Sequence, residues 1–167
     1  MRQLKFIADG MLGKLTRWLR ILGYDVEYSS TLSDKELIET AKAEGCILLT
    51  RDLQLFQQAS MQNAESFFVE GTNETEKLAA MANRFNLKLE VDVSVSRCPK
   101  CNTRIGPIPK EKVVSRVPEK TFSRYEEFWE CPNCKQVYWQ GAHWERINET
   151  LKAAQDGKAM LRKHTRP

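Results

Sequence analysis

Leu4-Lys5-Phe6-Ile7-Ala8-Asp9-Gly10, followed by Met11, Leu12, Leu15, Trp18, Leu19 and Leu22 and closed by Gly23, is the stretch that decides the fold. The first five residues are a short apolar run ended by a turn signal, which predicts a buried strand. The apolar residues after it recur at helical spacing, and Gly23 is a stop. A strand that feeds a helix within a few residues opens an α/β unit. The same alternation continues outward. Tyr24 to Tyr28 reads as a second strand. Ser33-Asp34-Lys35-Glu36 has the spacing of a capping box and starts a helix through about Glu44, with Gly45 behind it. Cys46 to Thr50 is the most apolar strand and ends at Arg51-Asp52. A short helix Leu53–Ala59, a strand Ser66–Val69 and a helix Glu74–Phe85 follow. The predicted fold class is α/β: a small three-layer domain with a mostly parallel sheet.

Downstream the pattern changes. Cys98-Pro99-Lys100-Cys101 and Cys131-Pro132-Asn133-Cys134 are two pairs of thiols, each two residues apart. Each pair can hold Zn²⁺ from one tight turn, and together they complete a tetrahedral Cys₄ site; the alternative is a pair of redox dithiols. Four thiolates leave no open position, so the expected zinc is structural. The spacer of 29 residues is long for such a ribbon and predicts an extended hairpin or flap. The expected organisation is a domain over residues 1–96, a zinc ribbon over 97–147, and a C-terminal helix with a basic tail over 148–167. Ile147–Ala154 is read as a helix packing back on the body, and Asp156–Pro167 as a mobile end.

The 167 residues are 41% hydrophobic and 29% charged, a composition that supports a real core. No apolar run approaches the ~20 residues of a membrane span. Met1 to Ile7 reads as a strand rather than a signal peptide. Cys46 reads as a small buried hydrophobe. An odd thiol beside a zinc site predicts a reducing, cytoplasmic setting. The formal net charge of +4 conceals a split. Residues 1–96 hold 11 Lys/Arg and 14 Asp/Glu, whereas residues 97–167 hold 15 and 8. An acidic part for cations and a basic part for polyanions is the division this implies.

Ligands of an open parallel α/β sheet gather beyond the carboxyl ends of its strands. Asp9 follows the first predicted strand, Asp52 follows the third, and Asp34 lies just inside the helix leading to that third strand. Such a cluster needs a cation, and Mg²⁺ or Mn²⁺ suits hard oxygen donors. Each acid also has a structural reading, Asp9 and Asp52 as helix caps and Asp34 as a first-turn acid. Lys14 and Arg17, with Arg20 beside them, form a cationic face on the first helix that can hold phosphates or simply be solvated. Arg51 can clamp phosphate or neutralise the acids. His143 is a candidate nucleic-acid contact or a satisfied surface histidine. The aromatics Phe128, Trp129, Tyr138, Trp139 and Trp144 are dense for a ribbon; some form its core, and one or two are candidates to stack single-stranded bases. Arg104, Lys110, Lys112, Arg116, Lys120 and Arg124 make the flap a candidate surface for tracking a polyanion such as nucleic acid.

Phe6-Ile7-Ala8-Asp9-Gly10-Met11-Leu12-Gly13-Lys14-Leu15-Thr16-Arg17-Trp18-Leu19-Arg20, Asp34-Lys35-Glu36-Leu37-Ile38, Leu48-Leu49-Thr50-Arg51-Asp52 and the ribbon's close from Cys131 to Trp144 together resemble the PIN-like ribonucleases of the "Mut-seven C-terminal" family. The resemblance covers roughly residues 4–147. It implies a PIN-like nuclease domain joined to a zinc ribbon, and metal-dependent hydrolysis of RNA leaving a 5′-phosphate and a 3′-hydroxyl. By position, Asp9, Asp34 and Asp52 match acids that hold divalent metal in such nucleases. Many PIN domains carry a further metal-site glutamate before the Asp34-type helix. Only 24 residues separate Asp9 from Asp34 here, and Glu36 is a substitute only if it is not the capping partner of Ser33. The expected partner is RNA, with tRNA or another structured RNA as candidates. The alternatives are an RNA-binding adaptor with a vestigial site and a PIN-type toxin.

Overall fold

Four parallel strands make the first sheet: β1 (Lys5–Ala8), β2 (Asp25–Tyr28), β3 (Ile47–Thr50) and β4 (Ser66–Phe68), in the order β2-β1-β3-β4. The computed structural model describes residues 3–164; Met1 and Arg2, and the last three residues including Arg166, lie outside them. Helices α1 (Gly13–Ile21), α2 (Asp34–Glu44) and α3 (Leu53–Met61) connect successive strands, and α4 (Glu74–Phe85) follows the last. β1 is central, with Phe6 beside Val26 on one side and Ile47 on the other.

Alternating side chains along β1 and β3 divide the core. Phe6, Ala8, Ile47 and Leu49 pack with Leu15 and Leu19 of α1 and Leu78 and Met81 of α4. Ile7 and Leu48 pack with Leu37 and Ile38 of α2 and Leu55 and Ala59 of α3, and Cys46 is buried in the same cluster. Helices therefore cover both faces, and that is why β1 and β3 read as unbroken apolar runs.

The local signals account for the helix ends. Ser33 Oγ accepts from Glu36 N while Glu36 Oε2 accepts from Ser33 N at 2.8 Å, a complete capping box. Gly45 closes α2 in the left-handed region at φ 64°. Gly23, after α1, has φ +94°, and a Cβ there would lie 2.9 Å from the carbonyl oxygen of Val95. Gly23→Ala is therefore expected to lower stability by more than about 1 kcal/mol in urea unfolding, through backbone strain and that clash.

The second unit is a three-stranded antiparallel sheet, β5 (Gly106–Ile108), β6 (Phe128–Glu130) and β7 (Val137–Tyr138), in sequence order. β5 and β6 pair as an antiparallel hairpin, and the long segment between them is a folded flap rather than a continuation of the strands. It folds into a 3₁₀ turn, Lys110–Val113, and a short helix α5 (Glu119–Arg124). Val113 is fully buried against Phe128 and Val137, with Val117, Phe122, Tyr125 and Trp139 around them. The connector over residues 86–97 has no strand, yet Leu87 and Leu89 enter the main core.

The last helix differs from expectation at both ends. α6 (His143–His164) begins inside the segment read as ribbon and continues well past Ala154. Residues 156–164 are thus helical rather than a mobile tail. Leu151 and Ala154 join the core. Beyond them, Gln155 Nε2 donates to Leu89 O at 2.8 Å and Lys158 Nζ to Leu87 O at 3.2 Å, which binds the next turns to the connector. Among the described residues no helix is long and apolar enough to cross a membrane.

Candidate active edge and zinc centre

The order β2-β1-β3-β4, with α1 on one face and α2 and α3 on the other, makes the chain turn opposite ways after β1 and after β3. Their carboxyl ends therefore flank a topological switch point, the usual crevice for ligands. Asp9 leaves β1 there and Asp52 leaves β3. Asp9 is only 6% exposed. Its Oδ1 accepts from Met11 N at 3.0 Å, capping the 3₁₀ turn Gly10–Leu12, and its Oδ2 accepts the hydroxyl of Thr50. Asp52 caps α3, Oδ1 accepting from Gln54 N at 2.8 Å and Leu55 N at 3.2 Å. The Thr50 hydroxyl accepts in turn from Asp52 N at 2.9 Å. One fully buried side chain thus joins both acids. Sequence reasoning passed over Thr50; the signal was a lone hydroxyl at the end of an otherwise apolar strand.

The capping roles of Asp9 and Asp52 are real, and they leave coordination capacity. A carboxylate oxygen has two lone pairs, so each Asp9 oxygen keeps one, and no hydrogen bond reaches Asp52 Oδ2 among the described residues. No Lys, Arg or His among the described residues forms an ion pair with either acid. A buried carboxylate held by neutral donors alone is a costly arrangement that a cation relieves. This donor set fits a hard divalent ion. Asp34 is the first residue of α2 and is exposed. The three carboxylates do not draw together as the cysteines do, which form the converging group of potential metal ligands among the described residues. Glu36 is occupied as the capping partner of Ser33, by Oε2 contacts at 2.8 Å to both backbone and hydroxyl.

The cations divide. Lys14 and Arg17 are exposed on α1. Arg20 is not part of their face: it is 7% exposed, its Nε donating to Val26 O at 2.9 Å and its Nη1 to Pro99 O at 3.0 Å. It ties α1 to β2 and to the first cysteine turn. Arg51 Nη1 donates to Val69 O at 2.7 Å and Gly71 O at 2.6 Å, so it braces the loop after β4 instead of neutralising the acids. In the flap, Lys110 pairs with Glu126 at 2.7 Å and Arg116 pairs with Glu130, which removes both from the set of unpaired cations. His143 is exposed at the start of α6, beside Tyr138, Trp139 and Trp144.

The four cysteine sulfurs lie within 4.8 Å of one another. Cys98 Sγ is 3.6 Å from Cys134 Sγ, and Cys101 Sγ is 3.4 Å from Cys131 Sγ. A tetrahedral ZnS₄ centre with bonds of about 2.3 Å has sulfurs about 3.8 Å apart, so the group is shaped for zinc rather than for disulfides. The two turns are built alike. Asn102 N donates to Cys98 O and Lys135 N to Cys131 O, both at 2.9 Å, and Asn102 and Lys135 are left-handed at φ 69° and 64°. Tyr138 Oη sits 3.0 Å from Cys98 Sγ, a partner for a metal-bound sulfur; burial and this contact raise the phenol's pKa.

The first turn also docks on the α/β body. Asn102 Oδ1 accepts from Val26 N at 3.2 Å and its Nδ2 donates to Asp25 Oδ1 at 2.7 Å, so it covers the free edge of β2. Ser96 Oγ donates to Ile21 O at 2.7 Å.

No curated protein and no solved structure matches the sequence. The model of a protein family described as the Mut7-C RNAse domain does match, over residues 4–151, from before β1 to the middle of α6. Because that match spans most of the 167 residues, the α/β body and the four-cysteine ribbon included, the chain belongs to the Mut7-C RNAse domain family.

Proposed function

We propose that this protein is a divalent-metal-dependent ribonuclease in which Asp9, Asp52 and Asp34 hold Mg²⁺ or Mn²⁺ and the zinc ribbon helps to bind RNA. The observation that carries the reading is the Asp9–Thr50–Asp52 link at the carboxyl ends of two adjacent parallel strands. Thr50 orients the Asp9 carboxylate and holds the backbone of Asp52; the backbone amide of Met11 fixes the other Asp9 oxygen, and those of Gln54 and Leu55 fix Oδ1 of Asp52. A bound Mg²⁺ or Mn²⁺ supplies a Lewis acid that makes water nucleophilic at neutral pH and offsets charge on the phosphodiester. Lys14 and Arg17, exposed on the first helix after Asp9, steer the flanking phosphates, while Arg51 braces the loop after β4. In-line attack by water on phosphorus breaks the P–O3′ bond, and the departing O3′ takes up a proton. The products carry a 5′-phosphate and a 3′-hydroxyl. Zn²⁺ on Cys98, Cys101, Cys131 and Cys134 holds the ribbon. RNA is the substrate class, and a reducing cytoplasmic compartment suits four zinc-bound thiolates.

Incubation of the zinc-loaded protein with end-labelled tRNA, ribosomal RNA and single-stranded oligomers, with and without Mg²⁺ or Mn²⁺, tests this. Cleavage that needs the metal and leaves 5′-phosphates is expected. Stable RNA binding with no metal-dependent cleavage would assign the chain to the adaptor class instead. Asp34→Asn is expected to lower the rate less than Asp9→Asn, because Asp34 stands exposed outside the Thr50-bridged pair. Equal losses would place it at the centre of the site.

A further inference from the structure

The aromatics of the ribbon separate into two groups. Phe128 and Tyr125 are consumed by the ribbon's small core around Val113, and Trp139 packs against that core with one side while lining the cavity described next. Trp129, Tyr138 and Trp144 are not part of it; they line a cavity of about 180 Å³ with Ile21 of α1, Val91 of the connector and Ile147 of α6. A second cavity of about 270 Å³ shares Tyr138, Trp139, Trp144 and Ile147, so the two meet across the same rings. Apolar walls of about 150 Å³ suffice for one aromatic ring. The first cavity is of the size that holds a single planar ring.

Polar groups mark the same cavity. Gln140 is exposed on its lining and makes no hydrogen bond among the described residues, which leaves an amide to read a base edge. Arg97 contributes a guanidinium whose Nη1 donates to Asn102 O at 2.8 Å, whose Nη2 pairs with Asp25 Oδ2 at 3.6 Å, and whose Nε, sealed from solvent, has no hydrogen-bond partner. The cavity also has a path to the acids. Lys14, Arg17 and Ile21 fall at i, i+3 and i+7 on α1, which places them on one helical face. That face runs about 10 Å from the end beside Asp9 to the cavity wall. A phosphate chain laid on Lys14 and Arg17 reaches the cavity after about two to four nucleotides, at 3.4 Å or more for each.

We propose that this junction between α1, the ribbon and α6 is a base-binding pocket that captures one unpaired nucleobase at a fixed spacing from the scissile bond. It rests on the RNA-cleaving reading above and gives it a substrate class: single-stranded or looped RNA, recognised by an aromatic sandwich remote from the acids. Duplex RNA, whose bases are stacked and paired, cannot enter.

The test compares a short oligouridylate with the abasic ribose-phosphate oligomer of equal length and charge. Both are titrated into the zinc-loaded Asp9→Asn protein without Mg²⁺, and binding is read by tryptophan fluorescence and by competition. The oligouridylate is expected to bind about tenfold more tightly, the loss typical of removing a stacked base. Trp144→Ala is expected to bring the two affinities together and Trp144→Phe to restore most of the gap, with zinc content and circular dichroism reporting an intact fold. Equal affinities in the starting protein, or a gap that survives Trp144→Ala in a folded protein, overturns the pocket. The two readings fail separately. Metal-dependent cleavage by the unsubstituted protein with no base-dependent binding removes the pocket alone. Base-dependent binding by a protein that never cleaves supports the pocket and removes the hydrolase.

Discussion

Asp9→Asn is expected to reduce metal-dependent RNA cleavage by more than about a hundredfold and to leave the fold and RNA affinity nearly unchanged. Losing an outer partner of a metal ligand typically costs ~10–100-fold, and loss of the ligand itself costs more. The substitution is structurally mild for a definite reason. Asparagine Oδ1 can still accept from Met11 N, and its Nδ2 can donate to the Thr50 hydroxyl, which is fully buried and sits between the two acids. What disappears is the negative charge, together with the acceptor for the Thr50 hydroxyl proton. Thr50→Val separates orientation from charge, since it retains both carboxylates and removes the hydroxyl that Asp9 and Asp52 N share. Its expected cost is ~10–100-fold in cleavage rate, with Thr50→Ser recovering most of it. Rate measurements at saturating Mn²⁺ decide the matter. Undiminished cleavage by Asp9→Asn would eliminate this edge as the catalytic one.

Zinc removal carries the largest expected effect on stability. Structural zinc in small modules contributes roughly 10–16 kcal/mol of apparent binding free energy, and that energy is folding energy. The ribbon's own core is a handful of side chains around Val113 and Phe128, far too little to hold three short strands without the metal. A strong chelator is therefore expected to melt residues 98–142 first. The α/β body follows at a lower temperature than in the zinc form, because Asn102 then leaves the edge of β2 and Arg20 loses Pro99 O. Three of the four tryptophans, at 129, 139 and 144, report the ribbon and its junction, while Trp18 packs against the main core. Fluorescence should thus change before far-ultraviolet circular dichroism does. A single coincident transition would mean that the ribbon and body fold as one unit.

The parts of this molecule that were legible in the sequence are those whose cause is local. The capping box at Ser33 and Glu36 and the stop at Gly45 depend on neighbours within a turn. The strands at Phe6 and Leu48 were visible because a sheet covered on both faces demands apolar residues at successive positions. The cysteine pairs announce themselves because a chelating turn has a fixed length. Asp9 and Asp52 were placed correctly after their strands, since turn residues follow strand ends whatever the topology.

The failures share a different cause. Arg20 had the helical position of a surface cation beside Arg17, yet a carbonyl 79 residues away buries it. Arg51 stands next to Asp52 in the chain and turns to the loop after β4. The end of α6 looked like a basic tail, and contacts with the connector order it.

By itself the chain's order of residues determined the alternation of strands and helices, the two cysteine turns and the places of Asp9 and Asp52 after their strands, because periodicity, caps and chelate spacing act over a few residues. Only the tertiary structure decided that β1 and β3 lie side by side, which puts Thr50 between Asp9 and Asp52, and that the ribbon closes an aromatic cavity against α1. Those relations are set by which surfaces exclude water together. That property belongs to the folded whole and to no single segment.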